Sequence, residues 1–141
     1  MIVYMDTSVI LRRLLGEPDG LDLWGGWTRV YTSVLTRVEY FRVIGRLRLE
    51  SKLNDAERVA LQESFSIFWQ TAHRVALSES ILIRAAQPFP TIVGTLDALH
   101  LSSALAVRAS GIGEMTLLTH DKQMGRAAAA EEFSVQGILL P

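Results

Sequence analysis

The sequence predicts an α/β domain built on a mainly parallel sheet that is covered on both faces. Short apolar segments alternate with longer helical patterns along the whole chain. Those short segments are continuous apolar runs, as strands buried on both faces require, and do not alternate as half-exposed strands do. The 141 residues suit one domain, 1–141, with no repeat, low-complexity tract or linker to divide it.

The first predicted element is a buried strand, Ile2-Val3-Tyr4-Met5. Thr7 or Ser8 is placed to cap a helix over 9–15, which Gly16-Glu17-Pro18 stops. Residues 21–27 are apolar and Gly-interrupted, and read as a small helix. Val30-Tyr31-Thr32 is a second strand, after which Ser33 caps a long helix to about residue 50. Asn54 followed by Glu57 has capping-box spacing and opens a helix over 55–69. Residues 74–77 form a third, weaker strand. Ser78 starts a helix that Pro88 and Pro90 end, and Thr95 caps another over 96–110. Gly111 and Gly113 turn the chain into a fourth strand over 115–119. A last helix covers 122–132, and 134–136 reads as an edge strand.

Composition narrows the function classes. With 49% hydrophobic residues the chain can fill a core, and a chain of this size buries roughly 70% of its unfolded surface. No apolar run approaches the roughly 20 residues of a membrane helix. No basic leader with a cleavage site precedes the first strand, so a signal peptide is not expected. The absence of cysteine excludes disulfides, Cys-ligated zinc and thiol catalysis, and a cytoplasmic location is the expectation. Net charge is −1, so a nucleic-acid partner must be met by local charge. Lys52 and Lys122 are lysine and the rest of the 14 basic residues are arginine. Arginine grips phosphate with a planar two-pronged donor set, although codon usage produces the same bias.

The chemistry concentrates in four carboxylates. Asp6 follows the first strand, Asp121 follows the fourth, Asp97 lies at the head of the helix after Thr95, and Glu39 sits inside the long helix. In parallel α/β sheets, ligands bind beyond the carboxyl ends of the strands. Clustered carboxylates beside a core are costly unless compensated. A divalent cation is the usual remedy, and oxygen-only ligands select Mg²⁺ or Mn²⁺. Each acid also has a structural reading. Asp6 and Asp121 suit helix caps, Asp97 suits the positive end of a helix dipole, and Glu39 suits a pairing with Arg42 or Arg46.

Four segments, in this order, resemble the PIN-domain ribonucleases, and most of all the VapC-type toxins of bacterial toxin–antitoxin pairs. They are Met5-Asp6-Thr7-Ser8-Val9-Ile10-Leu11, Ser33-Val34-Leu35-Thr36-Arg37-Val38-Glu39, Leu96-Asp97-Ala98-Leu99-His100-Leu101 and Leu118-Thr119-His120-Asp121. The resemblance covers nearly the whole chain. It implies a three-layer α/β/α sandwich, a Mg²⁺- or Mn²⁺-dependent RNA endonuclease, a homodimer and a cognate antitoxin. A tRNA or rRNA is the target class it implies. Asp6, Glu39, Asp97 and Asp121 fall on the family's acidic positions, and Thr7 and Thr119 on its small hydroxyl positions. Asp6 and Asp97 are expected as direct metal ligands, with Glu39 and Asp121 binding directly or through water.

Other residues stand beside this set. Arg12, Arg13, Arg42 and Arg46 follow the first acids on their helices and are candidates for RNA phosphate contacts. His100, three residues after Asp97, faces it on a helix but reads first as a structural histidine. His120 reads as an exposed neighbour of Asp121, and His73 as surface. Thr36 can bond its own backbone instead of serving the site. Trp24, Trp27, Phe65, Phe68 and Trp69 read as core, with an exposed apolar groove for the antitoxin as the alternative. Two rival functions remain: a catalytically silent binding module of the same fold, and another Asp-centred phosphatase-type enzyme. Ser8 stands where the haloacid-dehalogenase pattern wants a second Asp, and receiver-type domains want an acidic pair where Asp6 is alone.

Overall fold

The structure is a computed structural model that describes residues 1–18, 20–21 and 24–139. Its elements are β1 (Ile2–Met5), α1 (Thr7–Leu14), β2 (Arg29–Ser33), α2 (Leu35–Leu49), α3 (Asp55–Thr71), β3 (His73–Val75), α4 (Glu79–Ala85), α5 (Thr95–Ala109), β4 (Met115–Leu118), α6 (Lys122–Ala130) and β5 (Ser134–Gln136). The strands form one sheet in the order β3-β2-β1-β4-β5. Every neighbouring pair is parallel, including the predicted edge strand β5 beside β4.

The alternation of side chains along β1 divides the core between two faces. Val3 and Met5 point to one face, where they meet Val9 and Ile10 of α1, Tyr40 and Ile44 of α2, and Leu61, Phe65 and Phe68 of α3. Tyr4 points to the other, with Leu101, Ala104 and Val107 of α5 and Met124, Ala127 and Ala128 of α6. The result is three layers, helices–sheet–helices, with the most buried strands at the centre. Tyr40 ties two helices together by donating its hydroxyl to the Leu61 carbonyl at 2.9 Å. Burial pushes this hydroxyl's pKa up to about 12, so it stays a donor.

Several local signals act as read. Asn54 and Glu57 form the reciprocal capping box of α3 and Ser78 caps α4; Val34, not Ser33, takes the N-cap of α2, although Ser33 Oγ accepts the Leu35 N–H at 3.1 Å. Others do not. The N-cap position of α1 is held by Asp6, without a side-chain cap bond, and Thr7 and Ser8 lie inside the helix. Their hydroxyls are drawn to carboxylates instead. Gly94, not Thr95, occupies the N-cap of α5. The small helix expected over 21–27 does not form at Trp24–Trp27, where Gly25 adopts φ 82° in a turn; residues 22 and 23 lie outside the described residues. Trp24, Trp27 and Trp69 are partly buried against the core, and Phe65 and Phe68 are within it. Among the described residues, no helix is long and apolar enough to cross a membrane.

Candidate active site

The chain runs outward from β1 to β2 on one side, while β4 flanks β1 on the other. The strand order therefore reverses between β1 and β4, the place where open α/β sheets form a crevice beyond their carboxyl ends. Met5 and Leu118 are register partners, and the Asp6 N–H continues the ladder by donating to the Leu118 carbonyl at 3.0 Å. Asp6 and the Thr119-His120-Asp121 segment thus leave the sheet side by side.

Hydroxyl groups hold Asp6, which is only 5% exposed. Thr119 Oγ1 donates to Asp6 Oδ2 at 2.7 Å, and Ser8 Oγ donates to the same oxygen at 2.9 Å. Both hydroxyls also accept backbone N–H groups of the β4–α6 turn. Thr119 Oγ1 takes that of Asp121 at 3.0 Å, and Ser8 Oγ that of His120 at 3.0 Å. Asp6 Oδ1 stands 3.9 Å from His100 Nε2, beyond hydrogen-bond distance.

Glu39 reaches the same region from α2. Its partners are Thr7 and His100, not the arginines of its own helix. Thr7 Oγ1 donates to Glu39 Oε1 at 2.9 Å, and His100 Nε2 lies 2.6 Å from that same oxygen. The ring of His100 is fully buried, and its Nδ1 lies 2.9 Å from the Tyr4 hydroxyl. Thr36 does not bond its own backbone. Its hydroxyl meets that of Thr32 at 2.7 Å, and Thr32 donates to the Met5 carbonyl at 2.7 Å, so a file of hydroxyls braces the end of β1 beneath the acids.

Asp97 lies in the first turn of α5. Asp121 is the N-cap of α6 and accepts the Met124 N–H on Oδ1 at 2.8 Å. The acids sense one another. Burial raises the Asp97 carboxyl to a pKa of about 6, and the charges of Asp6, Asp121 and Glu39 add to this against the opposing effect of His100. For Glu39, burial alone would raise the pKa, but the bond from His100, its charge and the Thr7 bond outweigh it and the carboxyl is lowered. Burial opposes protonation of His100, yet the bond to Glu39 and the charges of Asp6, Glu39 and Asp97 prevail and its pKa is raised. The two shifts agree: His100 and Glu39 form an ion-pair-like bond inside the site.

Among the described residues, no three Asp, Glu or His side chains converge into a ready-made metal cage. The donor chemistry nevertheless fits a hard divalent cation. Asp6 and Glu39 each commit a single oxygen to hydrogen bonds, and the negative charge around Asp97 is incompletely neutralised. An ion would have to draw these carboxylates together.

The remaining candidates make other contacts. Arg46 stands 3.8 Å from Glu50 and Arg12 stands 4.0 Å from Glu17, while the Arg13 guanidinium lies 5.6 Å from the Trp24 ring centre. Arg42 is exposed in a shallow groove with Phe41, Gly45, Arg46 and Leu49. His120 is half-buried rather than exposed, and its Nδ1–H donates to the Gly137 carbonyl at 2.8 Å. Gly137 is required there: it adopts φ 106°, and a Cβ on it would collide with the Thr119 carbonyl. His73 is exposed and stacks on Tyr31. His100 is more than a structural histidine, since it meets an acid of the site. Its spacing from Asp97 was visible, but its bond to Glu39 joins helices 61 residues apart.

Residues 3–130 match the model of the PIN domain. The ribonuclease VapC47 of Mycobacterium tuberculosis is 30% identical over 114 residues, covering 76% of this chain and 77% of that protein. A chain in the crystal structure of VapBC2 from Rickettsia felis, bound to a DNA fragment from their promoter, superposes with a TM-score of 0.65 at 18% identity, over 96% of this chain and 98% of that one. A chain of a toxin–antitoxin complex from Klebsiella pneumoniae gives a TM-score of 0.64 at 15% identity, with 95% of both chains covered. At these identities the two structural likenesses speak to the fold.

Proposed function

Because this chain belongs to the PIN-domain family, we propose that it is a divalent-metal-dependent RNA endonuclease, the toxin of a toxin–antitoxin pair. The single observation that supports the reading is that Asp6 leaves β1 beside the end of β4, which leads to Asp121, with Glu39 and Asp97 near enough for the charges of the other three acids to act on Asp97. Asp6 and Asp97 are the direct ligands in this reading, with Glu39 and Asp121 holding the ion directly or through water. Mg²⁺ is the expected ion, and Mn²⁺ substitutes because both prefer oxygen donors. When bound, such an ion lowers the pKa of water and offsets charge on the phosphoryl oxygens.

The chain's own residues prepare that chemistry. Thr119 and Ser8 fix Asp6, and Thr7 and His100 fix Glu39, so neither carboxylate must be ordered when substrate arrives. Burial and the neighbouring acids penalise the charge of Asp97, and a bound ion would relieve it. Arg12, Arg13, Arg42 and Arg46 lie on α1 and α2, the helices that carry or follow the first acids, and are the proposed contacts for RNA phosphates. A tRNA or rRNA is the expected target class, and a cognate antitoxin and a homodimer complete the reading.

The test is direct. Protein freed of any partner should cut RNA with Mg²⁺ or Mn²⁺ and stop in EDTA. Cleavage that persists in chelator contradicts the mechanism. Expression alone should arrest bacterial growth, and co-expression of the cognate antitoxin should relieve the arrest.

A further inference from the structure

We propose that His100, held by Tyr4, is a positioning residue for Glu39 that decides which carboxylate oxygen faces the metal. This rests on the metal-binding reading of the acids. The geometry is specific. Both hydrogen bonds accepted by Glu39 end on Oε1: Thr7 at 2.9 Å and His100 Nε2 at 2.6 Å. Two donors on one oxygen restrain the carboxylate and leave Oε2 as the oxygen free to take a metal in this reading.

The ring cannot choose another role. His100 is fully buried, and its second nitrogen is engaged with the Tyr4 hydroxyl at 2.9 Å. Whether Tyr4 donates to Nδ1 or accepts from it, Nε2 carries the proton that goes to Glu39. Tyr4 is itself fully buried on the central strand, between Val3 and Met5. The order of the sheet is thereby passed through Tyr4 and His100 to a side chain on a different helix. Carboxylates that ligate metals are themselves held by hydrogen bonds from supporting residues, and losing such partners costs roughly 10–100-fold in metal affinity.

The test uses the full chain and four substitutions. His100→Leu keeps the volume and removes the donor. His100→Gln restores a side-chain N–H where Nε2 stands, and Tyr4→Phe frees the ring. Mn²⁺ affinity and RNA cleavage should each fall about 10–100-fold in His100→Leu, recover largely in His100→Gln, and fall less in Tyr4→Phe. In a Glu39→Gln background, adding His100→Leu should cost little more, because the two act as one unit. Crystal structures of the metal-free proteins should show the Glu39 carboxylate leaving Thr7, or spread over several rotamers, in His100→Leu. Wild-type Mn²⁺ affinity in His100→Leu, an unmoved Glu39, or a full additional loss in the Glu39→Gln background overturns the proposal. Should the wild type itself bind no Mn²⁺, the nuclease reading fails, while the crystal comparison still decides whether His100 places Glu39. If His100→Leu does not fold, His100→Gln and Tyr4→Phe carry the same measurements.

Discussion

Thr119 joins the two strand ends on which the site is built: its hydroxyl donates to Asp6 Oδ2 at 2.7 Å while its oxygen accepts the Asp121 N–H at 3.0 Å. One fully buried side chain therefore sets the separation of an acid that follows β1 and an acid that follows β4. Thr119→Val is nearly the same shape but leaves a backbone N–H without its partner. It also takes from the buried Asp6 carboxylate one of its two hydroxyl donors, a loss of roughly 1–3 kcal/mol, so the melting temperature should fall, and Mn²⁺ affinity should fall about tenfold or more. Thr119→Ser, which retains the hydroxyl, should lie close to wild type by both calorimetry and metal titration.

Asp97 should respond to pH in a way that separates stability from function. Its folded-state pKa is raised to about 6 from an ordinary 3.8. The folded protein therefore holds this proton more tightly than the unfolded chain does. The metal-free protein loses stability as pH rises from about 4 through about 6, and the penalty is complete above that. Asp97→Asn should raise the melting temperature at pH 7.5 and give no gain at pH 4. The carboxyl is half-exposed, and after allowance for screening a gain of about 1 kcal/mol is expected, worth roughly 2–4 °C in a domain near this size. Paired melting curves at the two pH values check it, and equal effects at both contradict it.

Asp121 has a second occupation that Asp6 lacks, since Oδ1 caps α6 through Met124 N–H. Asparagine caps a helix as well as aspartate, whereas alanine loses about 1 kcal/mol. Asp121→Asn should therefore keep the melting temperature and lower cleavage less than Asp6→Asn, and Asp121→Ala should lower both. If Asp121→Asn is as inactive as Asp6→Asn, the graded division of ligands is wrong and the site stands.

Away from the site, Tyr40→Phe should cost about 0.5–1.5 kcal/mol, the net worth of one buried hydrogen bond. It removes the bond to the Leu61 carbonyl that links α2 to α3. Cleavage per folded molecule should be unchanged, which chemical denaturation and a rate measurement at saturating metal together test.

The sheet and helices were legible because their signals are local. Apolar runs such as Ile2 to Met5, the Asn54–Glu57 capping box and the glycines at 111 and 113 need no distant partner to act. What the sequence concealed is non-local. Thr7 and Ser8 have the chemistry of helix caps, and only the folded arrangement shows that carboxylates claim them. The positions of Asp6 and Asp121 could be read from the strands before them. The bond between His100 and Glu39 could not, because a buried histidine in an apolar helix has the same local pattern whether it meets a carboxylate or a backbone carbonyl. The apolar content around Trp24 and Gly25 has the pattern of a helix, but Gly25 takes a positive φ and the chain turns there instead.

The most direct measurement is the rate of RNA cleavage by purified, partner-free protein across a Mn²⁺ titration, for wild type and Asp6→Asn side by side. Asp6 is the buried acid at the junction of β1 and β4, and asparagine preserves its size and its ability to accept from Thr119 and Ser8. Expected is saturable, Mn²⁺-dependent cleavage by the wild type and loss of most activity in Asp6→Asn with the melting temperature retained. Wild-type cleavage by folded Asp6→Asn would contradict the acidic metal site.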